Sequence, residues 1–302
     1  MNLSPFIAIL LCAAPWAVDA APATVFSINA SWINGTGIVT PIRLLSVSGN
    51  AFRYTLPDKP DPLDGTLAAG DSLFVEEPPD FTAAMALFNA RKYPEAKTKF
   101  AAVKDRCKAV AGIDDSHAVQ AGFYEMECLR KAGDLEGLST ALQGFSKDHL
   151  TRPYQVRQIE IYILWDAVRT KSWERAEGLA KDRQNSNLCA DQRAQVEYCH
   201  GLALEGLGKA SEALLCYHLA VTTGSGSAEE IARDAALRIL EIERRDPDID
   251  KALAKHTPAS DLPQAVRDKF AEMAALVRLF QNSLSCGMPL PDPYKVFIAD
   301  EP

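Results

Sequence analysis

Between Asp80 and Ala220 the chain repeats one pattern about four times: an amphipathic stretch, a short polar turn, then a second stretch with regularly spaced apolar residues. This feature constrains the fold most. A recurring helix pair must bury its apolar stripe against its neighbours, and stacked pairs leave a surface suited to gripping another protein. The turns align as Arg91-Lys92-Tyr93-Pro94-Glu95-Ala96, Gly133-Asp134-Leu135-Glu136-Gly137-Leu138, Lys171-Ser172-Trp173-Glu174-Arg175-Ala176 and Gly208-Lys209-Ala210-Ser211-Glu212-Ala213. After each block the inward positions continue as Ala96/Phe100/Val103, Leu138/Leu142/Phe145, Ala176/Ala180 and Ala213/Tyr217/Ala220, which is one face of a helix. Ahead of the last turn, Gly201 and Leu204 let two helices approach closely, and Gly208 supplies a left-handed cap.

On these residues the chain resembles the tetratricopeptide repeat family, whose units pair a small residue and a leucine in the first helix with an alanine and aromatic ladder in the second. Gly201, Leu204, Gly208, Ala213, Tyr217 and Ala220 follow that pattern, as do Ala84, Leu87, Tyr93, Ala96 and Phe100. The middle copies depart from it: Leu138 stands where alanine is expected, and Arg183 breaks the third ladder. Successive blocks lie 42, 38 and 37 residues apart, longer than the family's usual repeat of about 34. Loops must absorb the excess, or the stack is irregular; an unrelated helical bundle uses the same helix-pair physics. The resemblance implies a mostly α fold, an α-solenoid over residues 80–285. It also implies that exposed first-helix positions line a concave face, here Asn89, Tyr124, Glu127, Tyr162 and Tyr198.

Thr24 to Glu77 has a different texture, rich in β-branched and aromatic residues and in turn formers. Phe52, Tyr54 and Leu56 alternate with polar residues, and Ser48-Gly49-Asn50 joins that run to Ile42–Val47 as a hairpin. Further strands are expected at Val25–Ile28 and Leu73–Val75, split by the Pro- and Asp-rich stretch from Pro57 to Gly65. Residues 21–79 therefore read as a small all-β module, SH3-like or a sandwich, and Asp80 offers an N-cap for the first helix. At the other end, Ser227 with Glu230 suggests a capping box, and Asp261 with Pro263 opens a last helix through Ala271, Leu276 and Phe280. Residues 286–302 form an extended Pro-rich tail whose Tyr294, Val296, Phe297 and Ile298 fold back onto the body or serve as a ligand for something else.

Residues 1–20 have the character of an export signal. Phe6 to Ala14 is a short apolar core, and Val18-Asp19-Ala20 before Ala21 is a small-x-small cleavage site, although no Lys or Arg precedes the core. Cys12 lacks the small preceding residue of a lipidation site, since Leu11 is there. The expected location is the periplasm or envelope of a bacterium, or outside the cell otherwise. Cleavage leaves Cys107, Cys128, Cys189, Cys199, Cys216 and Cys286, and oxidising surroundings permit disulfides. Cys199 and Cys216 flank the Leu207-Gly208 turn at equal distance, so a bridge between them is one expectation and two small buried residues the other.

Chemistry-bearing motifs are weak. The formal charge of −8 and the lack of a basic run disfavour nucleic acid. Gly137-Leu138-Ser139-Thr140-Ala141 resembles a nucleophile elbow without its second glycine, inside a helical pattern. Asp246, Asp248 and Asp250 open like a calcium loop, but Lys251 and Thr257 occupy key positions and a capping turn is simpler. Cys199, His200, Cys216 and His218 lie on facing helices, yet neighbours on a helix point different ways, so no metal site is expected. Gly224-Ser225-Gly226-Ser227 is a link, not a phosphate loop, and no cofactor is expected. Asn29-Ala30-Ser31 and Asn34-Gly35-Thr36 fit glycosylation sequons, best read as surface loops. Three functions remain: a scaffold or adaptor for a protein or peptide, a structural subunit of an envelope complex, and an accessory enzyme on cell-wall or glycan material. The last needs acidic and aromatic residues converging on a cleft, and no such cluster stands out in the sequence.

Overall fold

Alternating burial along Ile42–Leu56 builds the expected hairpin, and the strands around it extend it into one antiparallel sheet. The computed structural model describes residues 27–255, 261–285 and 287–298. The export signal, Cys12, Val25 and Phe26 of the first expected strand, Cys286 and the last four residues lie outside them. The strands are β1 (Ile28–Ile33), β2 (Val39–Ser48), β3 (Ala51–Leu56), β4 (Lys59–Thr66) and β5 (Ser72–Val75), in the order β4-β3-β2-β1-β5. Ser48 pairs with Ala51 around Gly49, whose φ of 58° is open to glycine.

Two expectations change here. The Pro- and Asp-rich stretch is not a separator: most of it is β4, paired to β3 through Tyr54/Leu63 and Arg53/Asp64. Its prolines are tolerated because β4 is an edge strand, where a missing N–H breaks no ladder. The module is also a single sheet with β4 and β5 as edges, not a closed barrel or a sandwich. Its inner face, Ile28, Ala30, Ile42, Leu44 and Phe52, shares one core with Phe81, Ala96, Phe100 and Val103 of the helices, which take the place of a second sheet. Asn29 lies inside β1 instead of a loop.

Eleven α-helices follow among the described residues: α1 (Pro79–Asn89), α2 (Tyr93–Arg106), α3 (His117–Lys131), α4 (Leu135–Gln143), α5 (Pro153–Arg169), α6 (Trp173–Gln184), α7 (Ala190–Gly206), α8 (Ala210–Gly224), α9 (Glu229–Arg244), α10 (Pro247–Lys255) and α11 (Gln264–Leu279). Prolines at the starts of α1, α2 and α5 sit where the N–H has no helical partner. The expected cap at Asp80 is displaced: Pro78 is the cap residue, and Asp80, inside the first turn, pairs with Arg106. From α1 to α9 every helix packs on the next, and α1 also touches α3, α5 touches α7, and α7 touches α9.

The four turns between α1/α2, α3/α4, α5/α6 and α7/α8 are one structure repeated. Each places one left-handed residue, Arg91 (φ 60°), Gly133 (75°), Lys171 (53°) or Gly208 (76°), after the helix. In each, that residue and the next donate their N–H groups back to carbonyls of the closing helix, as Gly208 to Glu205 and Lys209 to Leu204. This double bond satisfies the orphan carbonyls of a helix end. The ladder alanines Ala96, Ala176 and Ala213 are each fully buried, as are Phe100, Ala180, Tyr217 and Ala220. Leu142 and Phe145 are only half-buried, since α4 ends at Gln143 and carries Phe145 beyond its last turn. Gly201 marks a close crossing: a Cβ there would come 2.5 Å from the Tyr217 ring.

The expected capping box at α9 does not form. Ala228 is the cap residue, Ser227 bonds back to the Thr223 carbonyl, and Glu230 reaches across to α3. Farther on, α11 begins after Pro263 as expected, and a 3-10 segment, Asp292–Ile298, returns the tail to it. There Leu290 and Phe297 are buried in the core of α8, α9 and α11, with the Phe297 ring 5.6 Å from that of Phe270.

Candidate functional site

The first helices of the pairs, α3, α5 and α7, carry polar residues on the face where they meet, and the structure buries them. Gln120 and Gln155 exchange side-chain hydrogen bonds at 3.1 and 2.7 Å. Gln158 donates to Gln195 at 2.9 Å, and the Trp165 indole donates to the same oxygen at 3.1 Å. Gln192 donates to the Tyr154 carbonyl at 2.9 Å. All five glutamines are at least nineteen-twentieths buried. Their amides therefore have to find one another, because an unpaired buried amide costs about 1–3 kcal/mol. Gln120, Gln158 and Gln195 each stand the same distance ahead of the left-handed residue of their own turn. That recurrence was visible in the sequence as a repeated polar residue at one repeat position, and reading only the apolar ladder misses it.

Next along the seam lies a charged knot. The Tyr162 hydroxyl donates to Glu127 at 2.5 Å, and Arg130 donates to Glu127 at 3.1 Å and to Glu230 at 3.3 Å. Lys131 adds a contact of 2.9 Å to Glu230, and Arg91 pairs with Glu229 at 3.0 Å. The ends of α1 and α3 and the start of α9 thus converge. Burial would raise the Glu230 carboxyl, but Arg130 and Lys131 outweigh it and hold its pKa down to about 2. Burial first, then the Glu127 carboxylate, pushes the Tyr162 phenol well above its ordinary range. Ala228, the cap residue of α9, and Ile231 in its first turn join the core of Val119, Phe123 and Tyr162.

Of the five residues expected to line a binding face, only Asn89 is exposed. Glu127 and Tyr162 are enclosed and bonded to each other, so neither offers a surface to a partner. Tyr124 is half-buried with its ring stacked on Phe100 at 5.4 Å, and Tyr198 lies half-buried between Trp165 and Tyr217. Neighbouring helices close the face the resemblance left open: α2 covers Tyr124, α5 and α8 cover Tyr198, and α3 holds Tyr162.

Of the two readings of Cys199 and Cys216, the structure has the free, buried pair: all five described cysteines are free, and no two lie at disulfide distance. Cys199 points into the core shared with Val196 and Ala194, while Cys216 sits in the next core and meets His200 Nδ1 at 3.3 Å. Rotation about the helices places the two sulfurs in different cores. Glu197 joins His200 and Cys216, the three donor atoms lying within 4.8 Å of one another. His218 instead faces Glu272 on α11 at 3.3 Å. Ser139, the serine of the elbow-like motif, is buried in α4 and donates to Asp166 at 2.8 Å, a carboxylate also held by Arg169. That serine has a structural bond and no imidazole in it.

No described helix is long and apolar enough to cross a membrane. Outside the cores, Leu215 and Leu219 stand one turn apart on α8, 67% and 50% exposed. A cleft of about 260 Å³ between α2, α3 and α4 is lined by Lys104, Lys108, Glu125 and Phe145, with Lys104 already paired to Glu125. No family model, curated protein or solved structure matches the chain, which leaves its own geometry to carry the functional argument.

Proposed function

We propose that the chain is an exported interaction scaffold, a tetratricopeptide-like stack of four helix pairs that binds a protein or peptide segment. The observation that carries this reading is the shared turn: four pairs close on the same left-handed residue and double hydrogen bond, and each helix packs on the next. Repetition of that kind makes an extended surface out of nearest-neighbour contacts alone. The burial of Ala96, Ala176 and Ala213 at the crossings supports it.

The binding face in this proposal is the outer side of α8, not the seam of the first helices, whose polar groups are buried and largely bonded to one another. Leu215 and Leu219 offer an apolar anchor pair, and an amphipathic partner helix or an extended segment fits a ridge of that width. Export follows from the leader-like residues 1–20. The test is capture with cross-linking from envelope extract, using the wild-type chain and a Leu215→Glu/Leu219→Glu double variant. A partner held by the wild type and released by the variant is the expected result. Equal capture by both, or none by either, overturns the proposed face. A permanent subunit of an envelope complex would use the same exposed pair, and size-exclusion of the isolated chain separates the two, since such a subunit self-associates when its partner is missing.

A further inference from the structure

At the joint of α6, α7 and α8 three different donor atoms face one enclosed point. On α7, Glu197 and His200 are three residues apart and so share a face. Cys216 on α8 completes the group, with its sulfur 3.3 Å from His200 Nδ1. Glu197, His200 and Cys216 are 3%, 6% and 7% exposed. The last residue of α6, Gln184, brings its side-chain nitrogen to 3.2 Å from His200 Nδ1 and 3.4 Å from Glu197 Oε2. Arg193 approaches the other Glu197 oxygen at 3.8 Å from the half-exposed rim.

The protein's own groups leave this arrangement incomplete. His200 Nδ1 has one lone pair or one hydrogen, yet both the Cys216 sulfur and the Gln184 amide crowd it. On the far side of the ring, Nε2 is buried with no hydrogen-bond partner among the described residues. Whichever nitrogen carries the hydrogen, the ring has one polar group too few on one side and one too many on the other. A structural histidine is ordinarily satisfied on both.

We propose that Glu197, His200 and Cys216 form a binding site for a borderline divalent cation of the zinc class. A carboxylate oxygen, an imidazole nitrogen and a thiolate are the donor types such an ion takes, and tetrahedral bonds of ordinary length set nitrogen and sulfur about 3.5 Å apart, close to the spacing present. The Gln184 amide, turned about its last torsion, presents its oxygen to the ion as the fourth ligand. Oxygen and nitrogen of an amide are placed by their neighbours, and a cation reverses the preference. Binding replaces the Cys216 S–H bond with a metal–sulfur bond and releases the proton to solvent. It relieves the crowding at Nδ1, leaves the ring hydrogen on Nε2, and ties α6, α7 and α8 together. Gln184, half-buried at the surface, is the way in. Cys199 and His218 take no part, since one faces the neighbouring core and the other α11. This proposal does not depend on the scaffold reading.

The test uses the full reduced chain, stripped of metal with a chelator and titrated with cobalt(II) and then zinc. The expected result is one equivalent bound, a thiolate-to-cobalt charge-transfer band that zinc abolishes, and a higher unfolding midpoint with zinc. Cys216→Ser removes the band and weakens zinc binding at least about tenfold, and His200→Asn weakens it comparably with the band reduced. Cys189→Ser, at an exposed cysteine elsewhere, leaves all of this unchanged. Circular dichroism checks that the variants fold. Should Cys216→Ser fail to fold, alkylation of the wild type followed by mass spectrometry reads the same point: zinc slows modification of Cys216 and not of Cys189. The proposal is overturned by a wild type that binds neither metal, by binding indifferent to Cys216→Ser, or by zinc that gives Cys216 no protection.

Discussion

Glu230→Gln is the sharpest probe of the charged knot, because it removes one charge while keeping the shape of the side chain. In the folded chain this carboxyl titrates near 2, against an ordinary 4.5, because Arg130 and Lys131 outweigh its burial. The side chain is 26% exposed, so solvent screening takes little from the interaction. The difference of about 2.5 pK units corresponds to about 3 kcal/mol of stability at neutral pH. Its sign follows from the direction of the shift. A depressed carboxyl stabilises the fold above its unfolded pKa, and that contribution drains away as pH falls through the folded value. Glu230→Gln is therefore destabilised by about 3 kcal/mol near pH 7, by roughly half of that or less near pH 3, and by little near pH 2. Arg130, whose side chain is 1% exposed, keeps Glu127 as a partner, which holds the loss toward the lower end for a broken buried pair. Urea unfolding followed by tryptophan fluorescence at several pH values measures this. A loss below about 1 kcal/mol at neutral pH, or one that stays constant into acid, would refute the reasoning.

The shared turn gives an opposed pair of outcomes. Gly208→Ala forces a Cβ into the left-handed region and lowers stability by about 1 kcal/mol, whereas Lys171→Gly relieves that strain and raises it by about 0.5–1 kcal/mol, both read as shifts in the urea midpoint. Gly201→Ala drives a methyl group into the Tyr217 ring and costs about 1–3 kcal/mol; the cost shrinks in a Tyr217→Leu background if that contact is the cause. Tyr162→Phe deletes the hydroxyl that donates to Glu127 and costs about 2 kcal/mol, with thermal unfolding as the measurement and an unchanged midpoint as the contrary result.

What the sequence determined by itself is what short-range physics controls. The helix pairs, the turns between them and their buried alanines follow from apolar spacing and turn chemistry, which act within a few residues. Arg91, Gly133, Lys171 and Gly208 mark the turns for the same reason, as does the Gly49 hairpin. Tertiary structure decided what depends on rotation and on long-range closure. A helix turns about 100° per residue, so Cys199 and His200, adjacent in the chain, face different cores, and only packing fixes which of them meets Cys216. Glu230 reads locally as half of a capping box, yet its partner Arg130 lies far away in sequence and near in space, and that attraction wins. The same closure turns Glu127 and Tyr162 from candidate surface into interior. Likewise β4 becomes a strand only because β3 offers it an edge to pair with, which no property of a Pro- and Asp-rich stretch announces on its own.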